Sequence, residues 1–396
     1  MSKLEKLIAE LCPEGVPIAM LGEIGNVCMC KRIMKEQTSA EGDVPFFKIG
    51  TFGKKPDAFI PQNVYEEYKH RFSFPNKGDI LISAAGTIGR TVIYNGAPAY
   101  FQDSNIVWLA NDETKALNKY LYYVYETKPW FISNGGTIAR LYNDNITKAK
   151  IPLPPLEIQR EIVRILDNFT ELSAELSAEL KARKKQYEYY RDQLLTFGDD
   201  VPMVSLGDTC VPTRNIRWAE TDDYYKYIDL TSVSRDTHVI VETTTINNEN
   251  APSRAQKVVE KNDVIFATTR PTLRRFALID DEFAGQICST GFCVLRANTK
   301  KILPKWIYYQ ISQSSYYDYM ESVQKGSAYP AVSDAEVKRY KIHLPSIGEQ
   351  QRIITLLDQF ETLTTDITIG LPAEIAARQK QYEYYRDKLL TFEVAK

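Results

Sequence analysis

From Glu157 to Phe197 apolar side chains return every three or four positions, at Ile162, Ile165, Phe169, Leu172, Leu176 and Leu180, then at Tyr187, Tyr190 and Leu194. That period places them along one face of a helix, which at 1.5 Å per residue is about 60 Å long. Its middle, ELSAELSAEL from Glu171 to Leu180, repeats every four residues, so each copy advances the chain about 6 Å, slightly more than one turn. A second stripe runs from Glu349 to Phe392 through Ile353, Leu356, Phe360, Leu363 and Ile367, but Gly370-Leu371-Pro372 interrupts it. A kink, or a break and restart, is expected there. Ahead of the stripes lie short segments rich in β-branched and aromatic residues: DILIS from Asp79, TVIY from Thr91, NIVWL from Asn105, DVIFA from Asp263 and FCVLR from Phe292. These read as strands.

The chain repeats itself. KQYEYYRDQLLTF from Lys185 to Phe197 recurs as KQYEYYRDKLLTF from Lys380 to Phe392, with one difference. LPPLEIQREIVRILDNF (Leu153 to Phe169) matches LPSIGEQQRIITLLDQF (Leu344 to Phe360) at Gln159/Gln350, Ile162/Ile353, Leu166/Leu357, Asp167/Asp358 and Phe169/Phe360. The offset is 191 here and 195 at the Tyr-rich end, so the second copy carries about one extra helical turn between them. Weaker echoes precede both blocks: Val16-Pro17 with Val201-Pro202, KGDILISAAGTIGR (Lys77 to Arg90) with KNDVIFATTRPTLR (Lys261 to Arg274), and KYLYY with KWIYY. This period far exceeds that of a solenoid, so each copy needs its own core. The expectation is an α/β (α+β) chain: two similar domains at 1–155 and 199–345, and two long helices at 156–198 and 346–396. Each helix must bury a narrow apolar face, and the other copy is the available partner, giving an antiparallel coiled coil with pseudo-two-fold symmetry.

Composition narrows the chemistry. The sequence is 44 % hydrophobic and 25 % charged with no apolar run long enough to span a bilayer, as in globular proteins. Lys3, Glu5, Lys6 and Glu10 stand where a signal peptide needs an apolar core, so a cytoplasmic protein is expected. Cys12, Cys28, Cys30, Cys210, Cys288 and Cys293 form no CxxC pair, and only His70, His238 and His343 supply imidazoles, so neither a metal site nor a histidine-based catalytic site is expected. GTIGRT at Gly86 lacks the lysine and spacing of a phosphate loop, and LPPL at Leu153 has the wrong flanks for the tetrapeptide that aminomethyltransferases place beside a flipped adenine. Single acids such as Asp79 and Asp103 at strand ends read as structural. A net charge of −2 counts against a lone nucleic-acid-binding protein, although a groove requires only local clusters of Lys and Arg.

What remains is polar loops at matching places in the two copies. GTIGR (Gly86 to Arg90) answers RPTLRR (Arg270 to Arg275), and NGGTIARLYN (Asn134 to Asn143) answers QKGSAYPAVSD (Gln324 to Asp334). Arginine at a strand-turn-strand tip makes bidentate contacts to guanine edges or to phosphate. The candidate DNA-contacting residues are Thr87, Arg90, Thr137, Arg140 and Asn143 in the first copy, and Arg270, Thr272, Arg274, Arg275, Lys325, Ser327 and Tyr329 in the second; for each, an ordinary solvated loop is the other reading. The Tyr-rich ends keep apolar and charged positions alike, which an internal seam alone does not require. Tyr187, Tyr190, Arg191, Tyr382, Tyr385 and Arg386 are therefore candidates for docking a protein partner.

Two variable domains, two related helices, the near-identical Tyr-rich endings and the four-residue repeat together resemble the specificity (S) subunit of type I restriction-modification systems, over essentially the whole chain. The resemblance implies that each domain reads one half of a bipartite double-stranded DNA site. It implies that the helices set the spacing and dock two modification (M) subunits, with two restriction (R) subunits added in the nuclease form. S-adenosylmethionine then belongs to the M subunit and ATP with Mg to the R subunit, and this chain binds no cofactor and catalyses nothing itself. Two alternatives stay open at this point: a stand-alone DNA-modifying enzyme, recognised by adenosylmethionine binding or cleavage by the chain alone, and a non-DNA coiled-coil scaffold, recognised by duplex retention that ignores the variable domains.

Overall fold

Strand Ile80–Ser83 is buried at every position, and its side chains divide between two cores. Ile80 and Ile82 join Val107, Leu109, Tyr120, Leu121 and Val124, while Leu81 joins Trp108, Tyr100, Phe101, Val44 and Ile60 on the other side. Successive strand residues point to opposite faces, so a strand covered on both sides reads as a continuous apolar run. Val264–Ala267 repeats the arrangement, with Val264 and Phe266 in one cluster and Ile265 and Ala267 in another.

The computed structural model describes residues 2–131, 139–365 and 370–395. They form two compact units, Met1–Ala174 with Arg378–Lys396, and Glu175–Ala377, so the division falls inside both Tyr-ended helical segments and not at their ends. In each unit a short antiparallel pair ties the start of the domain to its end: Ile18–Met20 with Lys150–Pro152, and Met203–Ser205 with Lys341–His343. The central antiparallel sheet has the same order in both. In the first unit it runs Asn26–Met29, Ile106–Ala110, Ile80–Ser83, Thr91–Ile93; in the second, Cys210–Val211, Phe292–Ala297, Val264–Ala267, Phe276–Leu278. A second sheet contains a parallel pair, Val44–Phe47 with Tyr100–Phe101 and Tyr225–Ile228 with Ile287–Ser289. The copies differ beside it, where the first has helix Gln62–Arg71 and the second has strand Ala255–Val258.

Helix Leu156–Leu194 is continuous over 39 residues, ending three residues before the sequence pattern suggests. The second stripe is two helices, Ile347–Thr365 and Leu371–Leu389. Pro372 sits in the first turn of the latter, where its missing N–H has no partner to lose, and the Gly370 carbonyl accepts from the Ala373 and Glu374 amides at 3.0 and 3.2 Å. The interruption is therefore a restart.

Buried amides root each long helix in its domain. Gln159 is fully buried; its Oε1 accepts from the Leu117 amide at 2.8 Å and its Nε2 donates to the Pro154 and Lys115 carbonyls at 2.7 and 2.9 Å. Gln350 makes the same three bonds to Leu303, Pro345 and Lys301. Two turns further along, Asp167 accepts from Tyr123 and pairs with Lys119, as Asp358 does with Tyr309 and Lys305. Within each unit the root meets the Tyr-rich end of the other repeat running antiparallel: Phe169 stacks on Tyr385 at 5.4 Å, and Phe360 on Tyr190 at 6.2 Å. In the first unit the end of the chain is stitched to the domain it serves, Val16 and the Glu393 and Ala395 backbone exchanging hydrogen bonds of 2.8 and 3.1 Å. Gly15, at φ 101°, permits this approach, since a Cβ there would lie 2.7 Å from the Ala395 nitrogen.

Candidate nucleic-acid interface

The two GTIGR-like segments are hairpin tips, joining Ile80–Ser83 to Thr91–Ile93 and Val264–Ala267 to Phe276–Leu278. The first turns on Gly86 and Gly89, both at positive φ. The second places Arg270 and Arg274 in the same left-handed region, at φ 50° and 55°, a conformation costing a side-chain-bearing residue on the order of 1 kcal/mol or more.

Sheet register revises which arginines correspond. The Ser83 amide donates to the Arg90 carbonyl and the Ala267 amide to the Arg275 carbonyl, each at 2.9 Å. Arg275, and not Arg274 as the aligned sequences imply, occupies the place of Arg90, because the second tip is one residue longer. Both guanidinium groups turn inward: Arg90 Nη1 donates to the Phe52 carbonyl at 2.9 Å, and Arg275 Nη1 to the Val233 and Leu230 carbonyls at 2.6 and 2.7 Å. Phe52 and Val233 follow equivalent strands by the same distance, so the same brace ties each tip to its neighbouring loop. Arg140 is likewise held, through Nη2, by the Ser104 carbonyl at 2.5 Å. Arg274 lies over the Tyr317 ring at 4.4 Å and lines a partly open cavity.

Other candidates face solvent. Thr87, Asn143, Arg270, Thr272, Lys325, Ser327 and Tyr329 are exposed, and the Arg270 guanidinium sits 4.4 Å over the ring of Tyr329, itself 71 % exposed. Lys325 forms a loose pair with Glu336 at 3.5 Å. The tip and the second loop are sewn together in both units: Val332 donates to the Thr268 carbonyl at 2.9 Å and Leu141 to that of Ala84 at 2.8 Å, while Arg270 donates to the Pro330 carbonyl at 2.6 Å. Thr137 and most of NGGTIA lie outside the described residues. Beside the described end of that loop is an open cleft of about 760 Å³, lined by Met29, Ser104, Arg140, Tyr142, Asn143 and Asp144.

Sequence reasoning missed a second open cleft, about 710 Å³, lined by Thr213, Arg214, Asn215, Arg217 and Thr221 among others. Asn215 bridges to Lys257, whose Nζ reaches Asp334 at 2.7 Å, so this cleft adjoins the 324–334 loop. The signal was there in RNIRW, directly after strand Cys210–Val211, with KRIMK at the matching place of the first copy, where Arg32 pairs with Asp103 at 2.8 Å. Asp103 is thus spoken for. Asp79 accepts from the Asn76 amide at 2.7 Å, and Asp263 binds the Arg296 fork at 2.9 and 2.8 Å. Among the described residues no cluster of His, Cys, Asp and Glu is arranged to hold a metal. The six cysteines are unpaired, and burial pushes the thiols of Cys30 and Cys288 up to about 12. No described helix is long and apolar enough to cross a membrane.

The candidate docking residues divide by depth. Arg191 is 4 % exposed and Tyr382 6 %, Tyr187 and Arg386 are half-buried, and Tyr190 and Tyr385 use one ring face for the stacking above. The tyrosines that point outward are Tyr189 and Tyr384, each 62 % exposed; the helical stripe assigned them no role.

The description "type I restriction modification DNA specificity domain" matches residues 13–183 and again 199–377. A putative type I restriction enzyme specificity subunit of Haemophilus influenzae is 59 % identical over 181 residues, covering 45 % of this chain and only 47 % of that relative. A type I restriction enzyme specificity subunit of Escherichia coli is 35 % identical over 311 residues, 71 % of this chain and 72 % of that one. The crystal structure of a type I restriction-modification system S subunit from M. genitalium, 16 % identical, aligns over 94 % of this chain and 96 % of its own with a TM-score of 0.50, a likeness of fold. With the domain matched twice, in register with two units that share strand order, helix roots and braced tips, this chain belongs to the type I restriction-modification DNA specificity family.

Proposed function

We propose that this chain is the non-catalytic DNA-reading subunit of a type I restriction-modification complex in the cytoplasm, each unit reading one half of a bipartite double-stranded site. The observation that carries this reading is the repeated pair of sewn loops, hairpin tip and following segment, presented by the same sheet in both units. Phosphate contacts position such a protein and base-edge contacts specify the sequence. In the second unit the exposed Arg270–Tyr329 pair offers a guanidinium fork and a ring face, with Arg214 and Arg217 as neighbouring cations. Two modification subunits dock on the outward tyrosines of the two Tyr-rich ends, and two restriction subunits complete the nuclease. S-adenosylmethionine and ATP with Mg belong to those partners. Linking two weak readers makes the second contact intramolecular, so specificity includes the distance between half-sites. The test is single-molecule mapping of N6-methyladenine in a host carrying the methyltransferase partner, with and without this chain. A bipartite motif that appears only with the chain supports the reading; an unchanged methylation map contradicts it.

A further inference from the structure

The first unit holds a half-buried carboxylate that the second lacks at the same place. Glu126, at the end of helix Asn118–Glu126, accepts a hydrogen bond from Tyr382 and lies 3.8 Å from Arg386. The shared root contacts of Lys119 and Tyr123 with Lys305 and Tyr309 fix the correspondence: Ser312 stands where Glu126 does, and Tyr187 and Arg191 where Tyr382 and Arg386 do. Each arginine pairs with the aspartate beside it, Asp192 or Asp387, at 2.7 Å, but among the described residues only Arg386 has a second carboxylate within ion-pair distance. In the second unit a carboxylate has moved to the root helix, Glu361 standing at the place of Thr170. It accepts from Tyr308 at 2.6 Å and Tyr309 at 2.8 Å, and burial raises its pKa.

Between these groups is a cavity of about 200 Å³ whose lining includes Lys184, Arg191, Arg235, His238, Arg274 and Ser312. Arg191 is 4 % exposed. His238 is held at φ 54° with its ring 3.9 Å from that of Phe276, and its buried Nδ1 has no hydrogen-bond partner among the described residues. Lys184 and Arg235 are solvent-exposed, as are the lining acids Glu188 and Asp236, and Glu361 is committed to the two tyrosines. Two guanidinium groups, of Arg191 and Arg274, and an unmet imidazole nitrogen therefore face this space, with Ser312 where the other unit has Glu126. Guanidinium forks match a tetrahedral oxyanion, and partial burial strengthens the attraction.

We infer that this cavity binds a small phosphate-type oxyanion, gripped by Arg191 and Arg274 and hydrogen-bonded by His238. The site shares Arg274 with the second hairpin tip but does not depend on the DNA-reading role proposed for that tip. Having only three histidines makes it observable, since ¹⁵N-histidine labelling of the full chain gives three imidazole signals and His238→Gln identifies the relevant one. Inorganic phosphate, titrated at constant ionic strength, should shift the His238 signal saturably, leave His70 and His343 unmoved, and raise the melting temperature where chloride does not. Ser312→Glu, which restores the carboxylate of the first unit, should abolish both responses; Arg274→Gln should do the same and serves if the first variant fails to fold. Because backbone phosphates of DNA share this chemistry, a short duplex is titrated separately. A response to duplex but not to inorganic phosphate overturns the inference, as does an absent His238 shift or one that persists in the folded variants.

Discussion

Gln159 and Gln350 are buried amides whose three hydrogen bonds close the joint between domain and helix, and each leaves orphaned backbone groups if removed. A buried group left without a partner costs about 1–3 kcal/mol, so Gln159→Ala and Gln350→Ala should each lower stability by at least that much. Urea unfolding of the two variants measures it; values within about 0.5 kcal/mol of the parent would place the joint elsewhere. The arginines of the tips separate into braces and readers. Arg90→Ala and Arg275→Ala should each impair reading of the half-site their own tip serves by loosening that tip, whereas Arg270→Ala should relax one half-site by about 1–3 kcal/mol of discrimination with stability nearly unchanged. Methylation maps and melts of the three variants distinguish these outcomes. His238 adds a pH signature. Burial, then Arg274 and Arg191, hold its pKa at about 4, below the ordinary 6.5. Below pH 6.5 the unfolded chain therefore takes up a proton that the folded chain refuses until about pH 4, and stability falls as pH drops through that window. In phosphate-free buffer His238→Gln should flatten that slope, and an equal slope in both proteins would contradict the assignment.

At the level of elements, the helices and the strands buried on two faces were legible because period and apolar content report burial directly. The duplication was legible because the same joint is built twice, and Gln159, Asp167 and Phe169 with their counterparts are the residues that build it. Three things were not. A one-residue extension of the second tip shifts the correspondence of Arg90 from Arg274 to Arg275, and only backbone pairing reveals it. The sequence left a kink and a restart both open at Gly370-Leu371-Pro372, and the helix restarts there because its first turn tolerates Pro372. The Tyr-rich ends were read as one docking face, but the fold turns Arg191 inward and Tyr189 and Tyr384 outward. Arg191→Glu should consequently destabilise the second unit instead of leaving it intact, while Tyr189→Ser with Tyr384→Ser should leave the fold unchanged and weaken assembly with modification subunits. Circular dichroism melts and analytical ultracentrifugation check the pair; an undisturbed melt for Arg191→Glu, or unaltered assembly of the double serine variant, would contradict this division.

For the whole molecule, each unit completes its helical root with the Tyr-rich end of the other repeat, which ties the two readers into one chain through the segment that contains ELSAELSAEL. The proposed role of that segment is to set a distance on DNA. Inserting one further Glu-Leu-Ser-Ala after Ala178 lengthens the helix by about 6 Å and turns the helix beyond the insertion by roughly 40° more than a full turn. With base pairs rising about 3.4 Å each, the half-sites should move apart by one or two base pairs while their sequences stay the same, because no reading loop has changed. The direct measurement is the N6-methyladenine map of a host carrying the insertion variant with its methyltransferase partner. The account predicts the parental half-sites at a longer spacing; an active variant that still modifies the original spacing would contradict it.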